Sequence, residues 1–447
     1  MMRIEGADIL VVGMGKSGLA AIELLLDHGA RPRATDQKRL EDLPAIAPRL
    51  RELGVPFAVQ SPAVFEGADS IVISPGVPAD LAELEAARAR GASVIGELEL
   101  AGAYLQGDVI GITGANGKTT TTALIGHILG HCGVPVQVGG NIGRPPTSMV
   151  AGSRPGQWNV LELSSFQLET IEKFRARVGV VINVTPDHLD RHHTFARYAA
   201  AKERLFENQG PEDLAILNAD DATCMDYARR TKSRTLLFSL KRPVDKGAYL
   251  EDGKLYVDRR FLMDAAAIPM RGLHNVENTL AAVLAAGETG APLASIAAAV
   301  GTFPGVEHRI EFVRTVNGVS FYNDSKATNV DATQKAIDAF DGGLWLILGG
   351  KDKGSDYRTL RPSLAAKAHA VLLVGAASAK IADHLAGTLP LLDCGTIAEA
   401  VRLAYEKACP GDTVLLAPAC ASFDQFSGYE ERGRVFKNLV ARLEEKA

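Results

Sequence analysis

The stretch VIGITGANGKTTTTALIGHILG, residues 109–130, constrains the fold more than any other part of the chain. An apolar run, a glycine-rich turn closing on Lys118 and Thr119, and a helical pattern describe a strand that delivers a phosphate-binding loop onto a helix N-terminus. Such a unit belongs to a parallel sheet covered by helices. The loop, Gly114-Ala115-Asn116-Gly117-Lys118-Thr119, is shorter than the G-x-x-x-x-G-K-[ST] pattern, because Ile112 stands six residues before the lysine. Its physics is the same. The glycines let backbone N–H groups turn onto an anion, Lys118 can reach the outer phosphates, and the Thr119 hydroxyl can ligate magnesium. A glycine-rich turn with an exposed lysine is the plainer alternative.

The same strand–helix alternation recurs along the chain. It runs through ADILVVG, LAAIELLLDHG, RPRATD, SIVISPG and ASVIG, resumes after the loop in WNVLELSS, VGVVINV and DLAILN, and restarts beyond GTFPGVEHRIEFV in LWLILGG, AVLLVG and DTVLLAPA. With 447 residues, too many for one ordinary core, this predicts three α/β domains: 1–99, 100–304 and 305–447. The first and last are expected to be Rossmann-like, and the central one a P-loop ATPase-like parallel sheet. Residues 240–270 read as less regular. A net charge of -5 argues against a nucleic-acid or anionic-membrane partner. There is neither a basic leader nor a run of 18 apolar residues, so export and a membrane span are not expected. Five cysteines without C-x-x-C spacing point to neither a disulfide framework nor a zinc site, and fit a reducing cytoplasm.

Several other patches carry chemistry. GMGKSG, residues 13–18, follows a strand and precedes Asp36 by about twenty residues, the dinucleotide-binding fingerprint. The same geometry serves any nucleotide diphosphate, NAD included, or a purely structural turn. Glu162 closes the apolar run WNVL, where it is either a magnesium ligand or a surface acid. NVTPDHLDRHH gathers Asp187, His188, Asp190, His192 and His193, a density that suits metal coordination or acid–base work; His192 and His193 are the two more readily taken as structural. Lys202 shares a helix face with Tyr198, Leu205 and Phe206. Periodicity alone favours a lysine that extends past them into water; held among them it would be neutral enough to react with carbon dioxide. Asn275 and Asn278 open a helix, placed to read an adenine edge or a ribose, with Asn275 alternatively an N-cap. Arg309 and Asp324 begin the third domain, either reaching a nucleotide or solvated. LGGKDKGSD and APACASFDQFSGYEERG bring Lys351, Lys353 and Ser422, with Thr328 nearby, to strand ends suited to a carboxylate-bearing substrate.

Together TGANGKTTTT, LELSSFQLE, NVTPDHLDRH, YAAAKERLF, LHNVENTLAA, HRIEFV, YNDSKATN, LGGKDKG and PACASFDQF resemble, in order and over nearly the whole chain, the ATP-dependent Mur ligases of peptidoglycan synthesis. GMGKSG with ISPGVP, the Ala-Asn before GKT, and ACASFDQF look most like the D-glutamate-adding members. The resemblance implies amide formation between UDP-N-acetylmuramoyl-L-alanine and D-glutamate through an acyl phosphate, in a cytoplasmic monomer. Under it Gly114, Asn116, Gly117, Lys118, Thr119, Thr120, Asn275, Asn278, Arg309 and Asp324 bind ATP. Gly15, Ser17, Asp36, Ser74, Asn141 and His188 bind the UDP-sugar in place of NAD, and Thr328, Lys353, Ser422 and Tyr429 hold D-glutamate. Two magnesium ions are implied, with Thr119, Glu162, His188 and a carbamylated Lys202 as ligands; Lys118, His188 and Lys202 form the catalytic set. Lys16, Lys38 and Tyr429 depart from residues that some relatives carry. Another Mur-type or a folylpolyglutamate-like ligase is the alternative, and an NAD-dependent oxidoreductase accounts for GMGKSG and nothing after residue 110.

Overall fold

The computed structural model describes residues 4–444. They form two compact units: Met1–Ala267 with Val276–Phe303, and Ile268–Asn275 with Pro304–Ala447. One of the three places where the chain passes between them falls in the first turn of the helix Leu273–Glu288.

The first unit holds two sheets. One consists of β1 (Asp8–Val12), β2 (Arg31–Asp36), β3 (Phe57–Val59), β4 (Ser70–Ile73) and β5 (Ser93–Gly96), all parallel in the order β3-β2-β1-β4-β5. Every residue of β1 after Asp8 is buried, as expected of a parallel strand covered on both faces. The helix Lys16–Asp27 covers one of them with Ala21, Ile22 and Leu25, spaced at the helical period. The strand order reverses between β1 and β4, which opens a crevice outside their C-terminal ends.

The second sheet has nine strands: β6 (Asp108–Thr113), β7 (Val136–Gly140), β8 (Trp158–Glu162), β9 (Val178–Val181), β10 (Leu214–Asn218), β11 (Arg234–Ser239), β12 (Gly247–Glu251), β13 (Lys254–Val257) and β14 (Arg260–Asp264), in the order β14-β13-β12-β11-β10-β9-β6-β8-β7. It is parallel from β7 to β12, and then β12, β13 and β14 run antiparallel. The stretch read as less regular is therefore a meander. Its turns use left-handed residues, Asp252 and Gly253 at φ 48° and 72° and Asp258 and Arg259 at 46° and 64°, the conformation of tight hairpins.

Two glutamates join this unit's parts. Glu97, 1% exposed, accepts the N–H and hydroxyl of Thr147 on one oxygen at 2.7 and 2.6 Å. Glu99 receives three successive backbone N–H groups, from Glu172, Lys173 and Phe174, at 2.8–2.9 Å.

The second unit's sheet is β15 (Glu311–Val316), β16 (Val319–Asn323), β17 (Leu344–Gly349), β18 (Ala368–Val374), β19 (Leu391–Gly395) and β20 (Thr413–Leu416), ordered β15-β16-β20-β17-β18-β19 and parallel except for the first pair. Apolar clusters lie on both faces of it.

Candidate active site

β6 ends at Thr113 and the helix Lys118–His131 starts at Lys118, so the loop between them faces the C-terminal edge of the sheet. Gly117 caps that helix at φ 87°, and a Cβ there would stand 2.2 Å from Asn278 Oδ1. Asn183 supports the loop, its side-chain oxygen accepting the Asn116 N–H at 2.9 Å and its carbonyl that of Ala115 at 3.0 Å. NVTPDHLDRHH contains Asn183, but sequence reasoning gave it no role, because its partners are backbone groups 67 residues away. Lys118 Nζ donates to the carbonyls of Gly114 and Ala115, both at 2.9 Å, within its own loop. Thr119 and Thr120 are buried in the first helical turn, and Asn278 accepts from the Thr121 hydroxyl at 3.4 Å.

Glu162 ends β8, the neighbour of β6, and is 2% exposed. Asn141 Nδ2 donates to its Oε1 at 2.9 Å, while its buried Oε2 meets no donor. A buried carboxylate oxygen in that state calls for a cation. An oxygen set of Glu162 and Thr119 suits magnesium, so these residues fit the ion that the sequence resemblance implies.

Lys202 lies in the helix Phe195–Glu203 and is 1% exposed, so the side chain does not extend into water. Its Nζ donates to Gly114 O at 2.8 Å and Thr113 Oγ1 at 3.3 Å, and sits 4.6 Å from the centre of the Tyr198 ring. Burial first, then the charge of Lys118, pushes its pKa well below the usual lysine value, against the opposing pull of Asp187 and Glu162.

The 187–193 segment does not converge as one cluster. His188 is half exposed and held in the left-handed region at φ 52°, with Asp187 at 3.6 Å and the Phe166 ring edge-on at 5.0 Å. A non-glycine residue there is costly and common at working sites. His192 instead turns inward at 3% exposure, between Ser165 Oγ at 2.8 Å and Glu169 at 3.0 Å, and His193 is exposed. The Asp190 side chain lies outside the described residues. Among the described residues no three His, Cys, Asp or Glu side chains gather as a metal site.

In the first sheet's crevice, Gly18 lets its helix approach β1, since a Cβ would stand 2.0 Å from Gly13 O. Space is open beside Gly15, and Ser17 is half-buried in the first helical turn. Asp36, at the end of β2, accepts the N–H groups of Met14 at 2.6 Å and Lys38 at 2.9 Å. Ser74 donates to Gly13 O at 2.7 Å.

In the second unit Asp324 is not solvated: burial raises its carboxyl to about 7, opposed by Arg309 and the Ile310 N–H. Asn275 Nδ2 donates to Arg271 O at 2.7 Å. Lys351 and Ala421 exchange backbone hydrogen bonds at 2.8 and 3.2 Å, which puts the loop of exposed Lys353 beside that of buried Ser422. Lys326 Nζ stands 5.3 Å from the Tyr429 ring centre, and Thr328 follows in the same half-buried turn. Sequence reasoning missed Arg432, 1% exposed, which donates to Ser325 O at 2.8 Å and Cys420 O at 3.2 Å and so fastens two of these loops to one helix.

Residues 7–96 match the family described as Mur ligase MurD-like, N-terminal domain; 112–286 match Mur ligase middle domain; and 308–420 match Mur ligase, glutamate ligase domain. A protein of Solibacter usitatus named UDP-N-acetylmuramoylalanine–D-glutamate ligase is 60% identical over 445 residues, 100% of both chains. The chain belongs to the Mur ligase family. A protein of the same name from Acidobacterium capsulatum is 52% identical to this Mur ligase over 98% of its chain and 97% of the relative. The crystal structure of a UDP-N-acetylmuramate-alanine ligase from Thermotoga maritima superposes with a TM-score of 0.62 at 19% identity, covering 97% of this Mur ligase and 99% of that chain. The three-domain fold is shared. No helix among the described residues is long and apolar enough to cross a membrane.

Proposed function

We propose that this Mur ligase joins D-glutamate to UDP-N-acetylmuramoyl-L-alanine with cleavage of ATP to ADP and phosphate, in cytoplasmic peptidoglycan precursor synthesis. The observation that carries the reading is the full-length likeness to D-glutamate ligases. The partnerless oxygen of Glu162 beside the phosphate loop supports the site.

A carboxylate is a poor electrophile, so the terminal carboxylate of the sugar substrate first attacks the γ-phosphorus of ATP. The acyl–O–P bond forms as the phosphoanhydride breaks and ADP leaves. The amine of D-glutamate then attacks the acyl carbon, phosphate departs, and one proton is lost from nitrogen. Lys118, turning from the carbonyls of Gly114 and Ala115, would follow the transferring phosphoryl group. Thr119 and Glu162 would hold one magnesium ion and His188 with carbamylated Lys202 a second, and the bound ions would supply charge neutralisation. Gly114, Asn116, Gly117, Thr120, Asn275, Asn278, Arg309 and Asp324 complete the ATP contacts. Gly15, Ser17, Asp36, Ser74 and Asn141, with His188, take the UDP-sugar, and Thr328, Lys353, Ser422 and Tyr429 take D-glutamate. Division of the chain at 99/100 and 304/305, and a monomeric state, belong to the same proposal.

The test is ADP release by the purified protein with magnesium and bicarbonate, given UDP-N-acetylmuramoyl-L-alanine and single amino acids. Release that requires both the sugar nucleotide and D-glutamate is expected. Release with L-glutamate alone, or with a folate acceptor, would overturn the assignment within the family.

A further inference from the structure

We propose that Arg191 is a positioning residue for the sugar-nucleotide substrate, fixing the separation between the loop that grips its nucleotide end and the segment where its carboxylate reacts. The inference rests on the ligase reading above.

A continuous run of hydrogen bonds crosses from the first sheet to the second. Ser74 Oγ donates to Gly13 O, in the GMGKSG loop, at 2.7 Å. The Val77 N–H closes a turn on Ser74 O at 2.9 Å. Arg191 Nη2 donates to Val77 O at 2.9 Å, and the Arg191 N–H to His188 O at 3.1 Å. Four bonds therefore connect the fingerprint loop with the backbone of His188. Of the atoms involved, Nη2 of Arg191 alone reaches from the second sheet's segments to the loop after β4.

The guanidinium is also held from the side of β8. It lies 5.0 Å from the centre of the Phe166 ring and 3.5 Å from Glu169 Oε2. Glu169 pairs in turn with His192, and His192 with Ser165, three residues after Glu162. An arginine suits this place because its planar head can stack, pair and donate at once, which a lysine ammonium does less well. The side chain is 18% exposed, so water competes little for these contacts.

The physical consequence concerns ligands that span both ends. A substrate bound at two points gains from the second contact only if the two are held at matching distance. Loosening the Arg191 junction leaves each half-site and the ties at Glu97 and Glu99 intact, but frees the loop after β4 relative to the His188 segment. UDP by itself, or an ATP analogue by itself, does not sense that change, whereas UDP-N-acetylmuramoyl-L-alanine does.

Arg191→Met keeps an apolar stem against Phe166 and removes the donor. Calorimetry is expected to give UDP and ATP-analogue affinities within about twofold of the parent, with the full sugar nucleotide weakened and its KM raised roughly ten- to hundredfold. Arg191→Lys, which restores one donor, is expected to recover part of that loss. Should Arg191→Met not fold, Glu169→Gln, which loosens the guanidinium, takes its place with the same three ligands. Selective loss for the spanning substrate supports the proposal; equal losses for all three ligands, or no loss, overturn it. Absence of turnover in the parent protein with every acceptor would instead overturn the ligase reading.

Discussion

Lys202 and Lys118 share one acceptor: the carbonyl oxygen of Gly114 receives both Nζ atoms, at 2.8 and 2.9 Å. Two ammonium groups converging on one oxygen repel each other, and Lys202 is the buried one. Burial and its neighbour thus push this amine toward the neutral form, and a neutral amine adds to carbon dioxide with loss of a proton to give a carbamate. We predict that 13C-bicarbonate labels the parent protein with a carbamate resonance that Lys202→Arg lacks. That variant should lose roughly 10²-fold or more in kcat. An unlabelled but fully active parent would contradict the prediction.

The turn at Gly117 leaves no room for a side chain. Its φ of 87° is strained for other residues, by roughly 1–2 kcal/mol, and a Cβ would stand 2.2 Å from Asn278 Oδ1. Gly117→Ala should therefore lower stability by about that strain and weaken binding of an ATP analogue roughly tenfold or more, as the loop N–H groups shift. Urea unfolding and calorimetry on the same variant measure both, and unchanged nucleotide affinity would be the contrary result.

Glu97 makes stability depend on pH. Burial raises its carboxyl from 4.5 to about 7, against the two hydrogen bonds from Thr147, and its Oε2 meets no donor. Between those values the folded state holds a proton that the unfolded chain has released. This group's contribution is therefore full below pH 4.5, falls as pH rises through about 7, and is then level. Glu97→Gln cannot ionise. Relative to the parent it should gain stability from pH 5 to pH 8, by an amount on the order of a few kcal/mol. Thermal melts of both proteins across that range check the sign.

Arg432 is fully buried and has backbone carbonyls and the Ser325 hydroxyl, rather than an acid, as acceptors. Arg432→Met would leave the carbonyls of Ser325 and Cys420 without this donor, at a cost of roughly 3 kcal/mol. Because Ser422 follows that loop directly, the KM for D-glutamate should rise more than the KM for ATP. Denaturation together with steady-state kinetics separates the two effects.

How far the site could be read from the sequence depended on the range of the contacts involved. The strand, glycine turn and helix that carry Lys118 were legible because they are adjacent in the sequence. Glu162 was legible as a strand-end carboxylate, but not as a buried one with an empty oxygen. Helical periodicity put Lys202 on an apolar face and then favoured its escape to water, since a face says nothing about depth. The hairpin at Asp252-Gly253 carried a readable turn signal, and the meander around it was passed over because its strands are short.

By itself the sequence determined the alternation that makes parallel sheets, the loops at their C-terminal ends, and the residue types able to hold phosphate and magnesium. Tertiary structure decided which charged residues stand at the junctions. Glu97, Arg432 and Arg191 meet their partners 50, 107 and 114 positions away. Each meets at least one backbone group brought alongside by folding, and a backbone N–H or carbonyl is the same at every position of a sequence, so no pattern of side chains announces that contact.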